Sequence, residues 1–81
     1  MLIAESKIES LIETLLEQSS KALTQRDMVL ALQYVSSAYG MALLLEREGS
    51  SEAWVTKGER LADSMTRTMR GMRQAIHEGI I

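Results

Sequence analysis

The sequence predicts an all-α fold, a three-helix antiparallel bundle in up-down-up order with a long third helix, and three observations carry that expectation. There is no Pro in the 81 residues and only five Gly, so the strongest helix breaker is missing and turning points are few. Apolar residues recur at helical spacing along nearly the whole chain. The stretch from Asp27 to Glu48 is apolar on two faces, Met28, Ala31, Leu32, Val35, Ala38, Tyr39, Ala42 and Leu43 on one and Leu30, Tyr34, Met41 and Leu45 on the other. A surface helix needs one apolar stripe, so a helix with two is expected to be covered from both sides.

The first helix is expected over 2–23, with Ile8, Leu11, Ile12, Leu15, Leu16, Ala22 and Leu23 on one face. Four polar residues, Thr24 to Asp27, interrupt the pattern, and Asp27 is placed to cap the next helix through its carboxylate. The second helix is expected over 27–48. Gly49 suits the left-handed position after a helix end, and Ser50 or Ser51 can cap the next start, so the joint is short and favours antiparallel neighbours. Gly40 in mid-helix costs about 1 kcal/mol of propensity relative to Ala, which points to close backbone approach there, within the bundle or across a dimer seam. The third helix, over 51–78, carries a single stripe of Trp54, Gly58, Leu61, Ala62, Met65, Met69, Met72 and Ile76. At about 42 Å against roughly 33 Å for the other two, its end is expected either to project, exposing Met69, Met72, Ile76, Ile80 and Ile81 to another subunit, or to fold back and fray.

Size limits what such a chain can hold together alone. A domain this small buries on the order of 60–65% of its unfolded surface, so shared surface between subunits is expected to matter. The core is aliphatic, with six Met, one Trp, two Tyr and no Phe, a composition that packs adaptably. With no Cys there is neither a disulfide framework nor a thiolate metal site, and an intracellular compartment is expected. No unbroken apolar run is longer than that of Met41 to Leu45, and Met1 to Lys7 lacks the apolar core of a secretory signal; no membrane span and a cytoplasmic location are expected. A net charge of -2 argues against purely electrostatic nucleic-acid binding.

Charge is unevenly placed. Residues 1–48 carry seven acids and four bases, and residues 49–81 four acids and five bases. Glu5, Glu9, Glu13 and Glu17 recur every four residues on the first helix, whereas Arg67, Arg70 and Arg73 form an acid-free basic stretch on the third. The two sets are expected to pair across an interface, or the acids to form a solvated face. Carboxylate-bridged metal bundles need Glu and His directed inward from several helices, so no metal and no cofactor is expected. His77 is the one histidine, and its spacing from Arg70 matches loosely the Arg-to-His motif of small helical nucleases, in which imidazole moves a proton and guanidinium holds phosphate. A lone His near a helix C-terminus also suits the helix dipole. Trp54 is expected to clamp the second joint or anchor a partner, and no aromatic lies among the three arginines to stack bases.

The run from Leu23 to Gly40, with a polar turn ending in Asp27 and then Val29, Ala31, Val35, Ser36, Ala38 and Gly40 in register, resembles the central segment of a family of short archaeal helical proteins of unknown function. That resemblance implies a helical bundle and supplies no catalytic residue. After Gly40 the chain reads Met-Ala-Leu-Leu-Leu-Glu instead of the acidic, Gly-containing helix end of that family. Residues 31–49 also look like the second helix of the higher-eukaryote and prokaryote nucleotide-binding helical domains, which are longer and have four or more helices. The functional expectation is a non-enzymatic interaction or scaffold module that self-associates through its second and third helices at Gly40, Met41, Trp54, Met69, Met72 and Ile76. The alternatives are a small metal-independent ribonuclease or nucleotide-binding domain using Arg70 and His77, and a chaperone or antitoxin-like subunit that pairs with another helical protein.

Overall fold

The computed structural model describes residues 4–79, and the first and last residues of the chain, Leu2, Ile80 and Ile81 among them, lie outside that range. The described residues form three helices and no strand: α1 (Glu5–Thr24), α2 (Met28–Glu48) and α3 (Glu52–Glu78). The all-α class is as expected, and so is the position of both joints. Among the described residues α1 begins at Glu5, with Ala4 extended as its N-cap, and the expected start at residue 2 lies outside them.

Local chemistry explains the ends. At the close of α1 the Asp27 N–H donates to the Ala22 carbonyl at 2.8 Å and the Arg26 N–H to the Leu23 carbonyl at 2.9 Å, the paired bonds of a Schellman stop. Arg26 occupies the left-handed position of that stop at φ 61, where glycine is the usual residue. Asp27 then caps α2 by accepting from the Leu30 N–H at 3.0 Å, as its side chain suggests. Of the two serines in the second joint it is Ser51 that caps, accepting from the Trp54 N–H. Gly49 departs from expectation. Its φ is -58, not left-handed, and glycine is required there for space: a Cβ would lie 2.6 Å from the Leu45 carbonyl oxygen and 3.1 Å from Val55.

The buried positions follow a four-three alternation on every helix. They are Ile8, Ile12, Ser19 and Ala22 on α1, with Leu15 half-buried between; Ala31, Val35, Ala38, Ala42 and Leu45 on α2; and Gly58, Ala62, Met65, Met69 and Met72 on α3. Such spacing keeps a seam facing its neighbour along the whole helix, as in coiled coils. α2 packs against both other helices, whereas α1 and α3 hardly approach each other backbone to backbone. The two apolar faces of α2 are thus its two covered flanks. Its centre line is mostly alanine, because two neighbours press on it at once.

Close approach occurs at Gly58, not at Gly40. A Cβ on Gly58 would meet the Glu46 nitrogen at 2.5 Å, the Ala42 oxygen at 2.7 Å and the Leu45 Cβ at 2.8 Å, whereas one on Gly40 would meet nothing within 4 Å. The expectation of close approach to Gly40 inside the bundle is therefore corrected. Met69 and Met72, expected to stand exposed on a projecting end, are 5% and 7% exposed. The reason is length: α2 and the turn before it run far enough to cover α3 through Met72, and Ile76 is half-buried.

Candidate interaction surfaces

The uncovered side of α2 is its least ordinary feature. From Met28 to Leu45 the helix carries no charged residue. Val29, Gln33, Ser37, Gly40 and Leu44 nevertheless face outward, with Val29 56% and Leu44 40% exposed, and Ser36 stands at the edge of this face, its hydroxyl donating to the Met69 sulfur at 3.4 Å. Outer faces of water-soluble helices are normally charged, and this one is neutral and low in profile. Among the described helices α2 is also long and apolar enough to cross a membrane by length and composition, at mean hydropathy 1.6 with 28% of the window buried. Its small polar residues keep apolar runs short, which is why the sequence lacks a run that signals this. The mostly buried core helix of a water-soluble protein passes the same test.

The glutamate ladder does not act as one face. Residues four apart drift by about 40° around a helix, so the ladder winds from the α3 side of α1 outward into solvent. Glu5 accepts from the Ser50 N–H at 2.6 Å, and Glu9 pairs with Lys57, the one ion pair among the described residues. Glu13 and Glu17 are exposed and, with Leu16 and Ser20, line a shallow depression of about 340 Å³. A larger one of about 750 Å³ lies along the start of α3, lined by Glu52, Ala53, Thr56, Lys57, Arg60 and Leu61. Lys57 also stands over the ring of the half-buried Trp54, 5.5 Å from its centre.

Hydrogen bonding from Ser50 holds the Glu5 carboxylate below its ordinary 4.5. A lowered carboxylate adds stability above the unfolded value, and this is lost as pH falls through the folded one. Acid titration followed by circular dichroism is expected to show a step below about pH 4.5 that Glu5→Gln removes. Its size will be small, since the group is exposed.

Arg67, Arg70 and Arg73 are exposed on α3. Arg70 and His77 fall two turns apart on one side of that helix, and neither lines either of these two depressions. No group of three or more His, Cys, Asp or Glu that could hold a metal ion occurs among the described residues. Of the positions expected at an interface, Gly40 is open to solvent, Met41, Trp54 and Ile76 are half-buried, and Met69 and Met72 are core. The sequence reading missed Val29 and Leu44 as exposed apolar residues, although their spacing with Gln33 and Gly40 was there to be read. No protein-family model, no curated protein and no solved structure matches the chain.

Proposed function

We propose that this chain is a non-enzymatic interaction module, an up-down-up antiparallel three-helix bundle that self-associates through the outer face of α2. Cross-helix contacts support the up-down-up order. The Ser19 hydroxyl donates to the Ala31 carbonyl at 3.0 Å, tying the second half of α1 to the first half of α2. Glu5 and Glu9, at the start of α1, reach Ser50 and Lys57, around the start of α3.

The observation that carries self-association is the uncharged outer face, with Val29 and Leu44 at its two ends and Gly40 inside it. Its pattern is self-complementary. Two α2 helices crossing antiparallel with a twofold axis between Ser36 and Ser37 set Val29 of one copy against Leu44 of the other, and Gln33 against Gly40. That is the form an isologous seam takes, one patch meeting itself. Gly40, where an added Cβ would meet nothing within 4 Å, then has a reason to be small.

Light scattering across a concentration series tests this directly. The parent is expected to be an oligomer, and Leu44→Lys, which brings a charge into each end of the seam, to lose half its mass with unchanged helicity. A parent that stays monomeric at every concentration rejects the reading and favours a hetero-complex subunit whose partner is missing.

A further inference from the structure

We propose a second contact on the opposite side of the chain, in which the α1 and α3 edges dock on a second copy with Glu13 and Glu17 paired to Arg60 and Arg67 of that copy. The inference rests on the up-down-up reading and goes beyond the α2 seam.

Three features lead there. First, α1 and α3 hardly approach each other backbone to backbone, and each carries its own shallow depression, one lined by α1 residues and the other by α3 residues. Second, the two edges have opposite charge at the same height. The Glu9–Lys57 pair sets α1 and α3 level with each other. Glu13 and Glu17 stand one and two turns beyond Glu9; Arg60 stands one turn beyond Lys57, and Arg67 follows on the same helix face. Third, each edge has an apolar floor within its charges, Leu16 beside the two glutamates and Leu61 beside Lys57 and Arg60. An arginine stem lies well on leucine while its guanidinium meets carboxylates at the rim.

Charge selects both the partner and the symmetry. A twofold axis parallel to the helices lays α1 of one copy on α3 of the other without change of height, so acid meets base twice. A twofold axis across the helices lays α1 on α1 and brings the glutamates together, which like-charge repulsion opposes. With principal extents of 42, 18 and 14 Å, one whole side of the chain approaches the ~800 Å² per partner of a standard interface. Two faces on opposite sides imply an assembly larger than a dimer.

The test is a charge exchange on the intact chain, read by light scattering at low and high salt with circular dichroism as the control for folding. Glu13→Lys/Glu17→Lys and Arg60→Glu/Arg67→Glu are each expected to halve the parental mass. An equimolar mixture of the two, in which every acid again meets a base, is expected to regain it at low salt and lose it at high salt. Either variant combined with Leu44→Lys is expected to be a monomer. Parental mass in both charge variants, or a mixture that stays small, overturns this contact. If the parent is an oligomer that only Leu44→Lys disrupts, the α2 seam stands and this contact falls; if the parent is a monomer, both fall together.

Discussion

Gly58→Ala is expected to lower the thermal midpoint by roughly 8–16 °C, an unusual outcome for placing the best helix former inside a helix. The added methyl would lie 2.5–2.8 Å from the Glu46 nitrogen, the Ala42 oxygen and the Leu45 Cβ. None of these is the free end of a flexible side chain, so α2 and α3 must separate. Overpacking of that kind costs about 3 kcal/mol, and alanine returns ~1 kcal/mol of helix propensity. The remaining ~2 kcal/mol gives the shift above at 4–8 °C per kcal/mol for a domain of this size. Gly40→Ala is the control: nothing lies within 4 Å of its added carbon, so propensity alone operates and the midpoint of the dilute protein is expected to rise. A Gly58→Ala protein that melts at or above the parent would mean that the helices do not cross at Gly58.

Those two glycines also mark where sequence reading stops. Both sit in helices and helix propensity penalises them equally; spacing puts Gly58 on the apolar stripe of α3 and leaves Gly40 off both apolar faces of α2, but it cannot say whether a glycine on a covered face touches another backbone. That is decided by the register between α2 and α3, a tertiary quantity. The same holds for Ser19: its spacing fits the core seam of α1, but a hydroxyl is admitted there only because the Ala31 carbonyl lies 3.0 Å away to accept its proton. By contrast, the double apolar character of α2, the cap at Asp27 and the single stripe of α3 were legible, because each depends on spacing within one helix. The glutamate ladder lies between these cases. Its periodicity is plain, but its winding matters only once Ser50 and Lys57 stand beside Glu5 and Glu9. For interaction residues the loss was greater. Spacing puts Val29 and Leu44 on one face with Gln33 and Gly40, but that this face stays uncovered was decided only when α1 and α3 had taken their sides of α2.

Leu45→Ala is expected to remove about 4–5 kcal/mol, the upper part of the usual range for emptying a leucine site. Leu45 is 0% exposed and among the largest fully buried side chains. How much such a deletion costs depends on whether neighbours can move in, and here the close neighbours have little to move. Gly58 faces it without a side chain, and Ala42 and Ala62 fill the next positions of the seam. An 81-residue domain holds roughly 4–12 kcal/mol in all, so the variant is expected to lie near the edge of folding in urea, with its denaturant midpoint lowered and its slope unchanged. Met65→Leu, a change of similar volume in an adaptable part of the core, is expected to lose less than about 1.5 kcal/mol. Leu45→Ala should also fail to rescue Gly58→Ala, because the atoms that obstruct the new methyl are the backbone of Ala42 and Glu46 and a Cβ that alanine keeps. A double variant more stable than Gly58→Ala alone would show that the leucine side chain, and not the backbone approach, is what holds α2 and α3 at their present separation.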